Sequence, residues 1–176
     1  MWRKKLLLTP VIDRHSITMI IIGLVLSFVF LQISYEDVKT RTISNRLVMQ
    51  VLFLSVAYAV LESLASGQWV GHLLAFLIIL GPSLILFATG LWGGGDAKLL
   101  IAVSPLAVPH TLLVFLFLIS AAGLFQAIMI IIQRRLRSHA NYRPGMPYGV
   151  AICGGSFIYL SIDLFYRAQN IWHVNF

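Results

Sequence analysis

The chain has 176 residues, 59% of them hydrophobic and only 11% charged, with a mean hydropathy of +0.90 and a formal net charge of +7. Soluble domains carry nearer a quarter of charged residues, so this composition excludes an ordinary soluble fold and points to an all-α polytopic membrane protein. The positive charge is not a nucleic-acid signal, because no basic stripe interleaves with aromatics and cations between apolar runs are what membrane topology produces.

A span needs ~20 residues to cross ~30 Å of hydrocarbon. In chain order the sequence opens with the basic tail Met1–Lys5 and then Ser16–Ser34, a first apolar run. No small-residue cleavage site follows that run, so it is expected to be retained as a helix. Leu47–Ala65 and Val70–Leu91 are the next two spans, the latter containing Pro82, which a membrane helix tolerates as a kink. Ala97–Val108 is too short to cross alone unless its helix begins in the glycines before it and runs on through Pro105. Leu112–Ile132 and Pro147–Leu164 complete a set of about six helices. The longest polar connection is Gln133–Met146, so no soluble domain fits between spans and residues 1–176 read as one transmembrane domain.

Six spans place Lys39, Arg41, Arg46, Lys98, Arg134, Arg135, Arg137 and Arg143 on one face, eight cations. The opposite face receives Arg3, Lys4, Lys5, Arg14 and Arg167, five cations. The excess of lysine and arginine makes the first face cytoplasmic, with the tail lying along the membrane surface.

Six acids occur: Asp13, Glu36, Asp37, Glu62, Asp96 and Asp163. Glu36, Asp37 and Asp96 fall on the basic face at the mouths of helices. Two aspartates meeting there would form an acid–base pair, one taking a proton from water while the other, protonated, polarises a carbonyl. Asp96 taken alone could be the N-cap of a helix, and Asp37 a solvated acid balanced by Lys39 and Arg41. An N-cap does not call for three preceding glycines, however, and Gly93, Gly94 and Gly95 would let another backbone approach closely beside Asp96. A side-chain-free backbone there could pair with a substrate held in extended form.

These segments resemble a known family. "GGGD", Gly93–Asp96, fits the GxGD pattern of polytopic aspartic proteases. "DVKTRTISN", Asp37–Asn45, resembles the aspartate segment of prepilin peptidases, where an Asp precedes a basic residue and Ile-Pro-Asn. "MPYGVAICGG", Met146–Gly155, is similar to that family's last-helix Pro-Tyr-Gly motif. The ordered trio resembles the short prepilin peptidases of the Flp/tight-adherence pilus type. The resemblance implies an aspartic endopeptidase of the cytoplasmic membrane that removes basic leader peptides from prepilins, with Asp37 and Asp96 as the catalytic pair. It implies substrate contacts from Gly93, Gly94, Gly95, Pro147, Tyr148 and Gly149. It further implies the lipid bilayer and the pilus assembly machinery as surroundings, with no cofactor. Ser44 stands where the family has proline, a departure expected to touch no acid. The cysteine-bearing domain of the long, bifunctional members has no counterpart here, so their N-methylation is not expected.

Other features have plainer readings. Glu36 reads as a solvated neighbour of Asp37, and Lys98, two residues past Asp96, as a lysine pointing elsewhere on its helix. The five histidines lack ligand spacing and Cys153 is the single cysteine, so no metal is expected. Gly90 with Gly94, and Gly145 with Gly149, have the spacing of helix-packing glycines. Trp2, Trp69, Trp92 and Trp172 fall near span ends, as an interfacial belt requires. Two other functions compete. A presenilin-like GxGD protease would need Tyr-Asp and Pro-Ala-Leu motifs, which "YED" at Tyr35 and the misplaced Pro-Leu-Ala at Pro105 match poorly. A proton-coupled transporter or assembly scaffold would favour acids at mid-span.

Overall fold

A computed structural model of the chain describes residues 14–136 and 146–173, the side chains of 14–16, 134, 136 and 167–173 excepted. The N-terminal tail with Trp2, and Arg137, His139, Arg143 and Gly145 in the connection before the last helix, lie outside the described residues. The described chain is all α-helical: α1 Arg14–Thr40, α2 Asn45–Ser66, α3 Trp69–Ala88, α4 Gly94–Val103, α5 Leu112–Leu136 and α6 Tyr148–His173. All but α4 are long and apolar enough to cross a membrane. This is a polytopic membrane protein.

Local chemistry sets the helix ends. α1 continues past its predicted end at Ser34 to Thr40, ~40 Å at 1.5 Å per residue, and so carries Asp37 in its last turns. The chain then reverses at Arg41, whose φ of 59° is left-handed and whose N–H donates to the Asp37 carbonyl at 3.0 Å. Ser44 caps α2, its hydroxyl accepting from the Arg46 N–H at 3.3 Å. α2 ends at Gly67, φ 73°, whose N–H reaches the Ser63 carbonyl at 2.8 Å. α3 runs through Pro82 without a break and ends in a turn at Gly90, φ 74°. A methyl added at Gly90 would meet nothing within 4 Å, so this glycine shapes a turn and does not pack helices as its spacing with Gly94 suggested.

The crossing expected at Ala97–Val108 has a composite form. Its helix does begin in the glycines, at Gly94, but stops at Val103, ~15 Å later. A 3₁₀ turn, Ser104–Leu106, carries the chain through Pro105, which cannot donate to a continued helix. Extended backbone then brings Val108 and Pro109 against Gly71, beside the start of α3. The chain therefore traverses the bundle six times, once by this broken route. Non-helical backbone at that depth is tolerated only where protein surrounds it, and Ser104–Val108 are all buried, with α4 enclosed by α2, α3 and α6. The Pro105 carbonyl accepts from His72 Nδ1–H at 2.8 Å, and Thr111 bonds both the Val108 backbone and the Tyr159 hydroxyl, the latter at 2.8 Å.

Large apolar side chains such as Phe53, Leu113 and Phe117 face outward, as lipid contact demands, while Leu26, Ile33, Val51, Leu99, Val103 and Leu160 fill the centre. Lipid is as apolar as leucine, so helix association rests on close packing. Gly155 supplies the tightest case: a methyl there would sit 2.4 Å from the Ile119 Cα, so α5 and α6 meet backbone to backbone. Its neighbour Gly154 is looser, with 3.8 Å to the Ala122 Cβ. Gly155→Ala should therefore destabilise the bundle by ~1–3 kcal/mol or more, while Gly154→Ala melts like the parent. Thermal unfolding in detergent checks this; equal melting of the two variants would contradict it.

Candidate active site

Three helix ends converge at one end of the bundle. The last turns of α1 bring Asp37, the first turn of α4 brings Asp96, and the first turn of α6 brings Gly149. Asp37 and Asp96 line the same cavity, about 440 Å³, together with Arg41, Asn45, Lys98 and the three glycines Gly93–Gly95.

Asp37 is only 5% exposed. A methyl on Gly149 would lie 2.7 Å from Asp37 Oδ2 and 2.9 Å from Ile43 Cδ1, so glycine alone lets the start of α6 come this close. The N–H groups of Gly149 and Val150 thereby face the Asp37 carboxyl at the positive end of α6, and the Arg41 guanidinium lies near it. Oδ2 has no hydrogen-bond partner within the described residues.

Asp96 is not an N-cap. Gly93 occupies that position with no side-chain cap bond, and Asp96 stands three residues on, inside the first turn. Its pKa is pushed up to about 6, first by desolvation and then by the charge of Asp37. The glycines differ in purpose. A methyl on Gly93 would sit 3.1 Å from Asp96 Oδ2, one on Gly94 would meet the Phe87 ring at 3.0 Å, and one on Gly95 would touch Ile43 at an ordinary 3.4 Å. Gly93 thus leaves room for the carboxylate, and Gly94 for the phenyl ring.

Other expected site residues are more peripheral. Pro147 is buried, and its carbonyl accepts from Gln126 Nε2–H at 2.8 Å. Tyr148 is 46% exposed and does not line the cavity. Glu36 lines a separate cavity of about 700 Å³ on the other side of the α1–α2 turn, with Tyr35 and Lys39. Its carboxylate accepts from the Ser44 N–H at 3.4 Å. The departure at Ser44 therefore does touch an acid, through a donor that proline lacks.

Lys98 corrects a second expectation. The cavity wraps the open end of α4, so Lys98 lines it despite its two-residue offset from Asp96, and its ammonium donates to Asn45 Oδ1 at 3.3 Å. Arg41, Asn45 and Met146 also line the cavity. All three lie within the quoted motif segments, Arg41 and Asn45 in "DVKTRTISN" and Met146 at the head of "MPYGVAICGG", though none was singled out as a site residue. Cys153 is buried near Asp37, with its thiol against Ser34. Among the described residues no three His, Cys, Asp or Glu side chains gather as a metal site would need.

The model of the type IV leader peptidase family matches residues 16–128, a stretch that includes both aspartates and ends before α6. No curated protein and no solved structure matches the chain.

The raised pKa of Asp96 has a consequence for stability. Above about pH 6 the folded protein holds a carboxylate that the unfolded chain ionises more easily, which costs stability; below pH ~4 both states are protonated and the cost vanishes. Asp96→Asn should therefore melt higher than the parent at pH 7.5, by roughly 2–4 °C after allowance for solvent screening at the cavity mouth. The gain should disappear at pH 4. Equal melting temperatures at pH 7.5 would show that Asp96 carries no burial cost.

Proposed function

The chain belongs to the type IV leader peptidase family, and from that premise we propose that it is an aspartic endopeptidase whose working pair is Asp37 and Asp96. It is a prepilin peptidase, so prepilins are its substrates. The observation that carries the catalytic assignment is the cavity itself: of the acids near this end, Asp37 and Asp96 share it and Glu36 does not.

The surroundings of the two acids support unequal roles. Asp37 is buried beside the N–H groups of Gly149 and Val150 and the Arg41 guanidinium. Asp96 is raised by burial and by Asp37. We place the single proton of the pair, held at and below about pH 6, on Asp96. In the hydrolytic step, Asp37 takes a proton from water as the water oxygen adds to the scissile carbonyl carbon, and Asp96 gives its proton to the carbonyl oxygen. The resulting gem-diol collapses as Asp37 returns its proton to the leaving nitrogen and Asp96 recovers one from a diol hydroxyl. The C–N bond breaks, and both acids regain their starting states.

We assign the mouth of the cavity to the cytoplasmic side of the inner membrane, where the basic leader of a prepilin stays. Lys39, Arg41, Arg46 and Lys98 all belong to this end, which supports that orientation. We assign the chain to the short Flp/tight-adherence type, as a single transmembrane domain working beside the pilus assembly machinery; the order of its three motifs along six helices supports this subtype.

Co-expression with candidate prepilins, scored by leader removal on a gel, tests the reaction. Asp37→Asn and Asp96→Asn should each abolish cleavage while membrane insertion is kept, and Glu36→Gln should stay near the parent. Activity within about tenfold of the parent, roughly 1.4 kcal/mol of barrier, would mark the altered aspartate as structural.

Orientation has its own test. Single cysteines at Ser44 and Ser66, in a Cys153→Ala background, sit at opposite ends of α2. An impermeant thiol reagent applied to intact cells should label the Ser66 position only. Labelling at Ser44 before lysis would invert the topology.

A further inference from the structure

Arg41 is held in an unfavourable backbone state with its side chain turned into the cavity. Its φ of 59° is the one left-handed angle among the described non-glycine residues. Its side chain lines the cavity of Asp37 and Asp96. Yet Nε and Nη1 are shut off from water and have no hydrogen-bond partner, and among the described residues no carboxylate lies within ion-pair distance of the guanidinium. Buried donors are nearly always satisfied, and strained backbone persists where a function holds it. Two unspent donors beside a reacting pair call for an oxygen acceptor that arrives from outside.

We infer that Arg41 positions the substrate, its guanidinium taking a main-chain carbonyl oxygen of the extended peptide drawn between Asp37 and Asp96. This rests on the proteolytic reading above. An extended strand offers one carbonyl per residue, and the cavity wall at Gly93–Gly95 has no side chains to keep that strand away. The cavity already contains two acids, so a neutral carbonyl fits it better than a further carboxylate. The scissile carbonyl belongs to Asp96, and Arg41 serves a neighbouring one, which fixes register rather than supplying protons.

Arg41→Gly separates side chain from backbone, because glycine adopts the left-handed angle without cost. This variant should melt at or above the parent temperature. Its kcat/KM for leader removal should fall about ten- to hundredfold, the scale of one charge-assisted hydrogen bond, with KM carrying most of the loss. Millimolar methylguanidinium should restore part of the activity, and any move of the acid limb of the pH profile, from losing the charge beside Asp37, should accompany the rise in KM and not replace it. Parent-like cleavage by Arg41→Gly would overturn the inference. So would a displaced pH profile at unchanged KM, which would make Arg41 a charge partner of Asp37 alone. Parent protein and Asp96→Asn are run alongside: if the parent cuts and Asp96→Asn does not, the aspartic reading stands whatever Arg41→Gly does.

Discussion

The backbone of α6 meets the Asp37 carboxyl with no side chain between them, and the rest of the site is arranged around that approach. An aspartate that is 5% exposed at the edge of hydrocarbon needs donors, and the Gly149 and Val150 N–H groups at the start of α6 lie beside it, that of Val150 also donating to the Pro147 carbonyl at 3.2 Å. Gly149 makes the approach sterically possible. Ile43 then fills the remaining space, touching the Gly149 position from one side and the Gly95 position from the other. One isoleucine of the α1–α2 turn thus sets the spacing of the two helix starts that flank the cavity. This explains why a segment that reads as a loop motif in the sequence matters as much as the acids.

The broken fourth crossing imposes a second demand, met at the opposite end of the bundle. Stopping α4 at Val103 frees backbone groups in a region that offers no water, and the His72 and Thr111 side chains supply partners to the Pro105 and Val108 backbone. His72 donates from Nδ1 to the Pro105 carbonyl, and its Nε2 lies 3.5 Å from the Glu62 carboxylate. Four residues earlier on α2, Tyr58 donates to Asp163 of α6. Four residues before Asp163, Tyr159 reaches Thr111 at the end of the broken segment. The i, i+4 steps on α2 and α6 put these contacts on one side of each helix, a belt that ties both ends of the break to its neighbours. Glu62, His72 and Asp163 are therefore accounted for by folding.

Much of this was legible in the sequence, and the failures have physical causes. Long apolar runs fix five crossings because nothing else satisfies their backbone in lipid. The sixth was ambiguous, since a ten-residue helix plus extended chain has no periodicity that distinguishes it from a loop. Asp37, Asp96 and the glycines stood out because acids and glycine clusters are rare in such a composition. Lys98 was misjudged by treating a helix start as though it were a helix middle, where offset decides direction. Gly154 and Gly155 were read only as part of a motif, because the sequence does not say which of two adjacent glycines faces another backbone. The strain at Arg41 could not be read at all: its residue type does not favour a left-handed angle.

The cations at this end divide by what they face. Lys39 lies 5.5 Å over the Tyr35 ring, Arg46 is exposed, and Lys98 is tied to Asn45, so all three sit at the rim where orienting charges belong. Rim charges are well solvated and act on topology as a group, so any one could move without changing the chemistry inside. Arg41 and Lys98 both line the cavity, but of the two it is Arg41 whose Nε and Nη1 are shut off from water. A charge that only oriented the protein would gain nothing from that burial. The same short turn therefore carries solvated cations at its rim and one guanidinium turned into the cavity of Asp37 and Asp96.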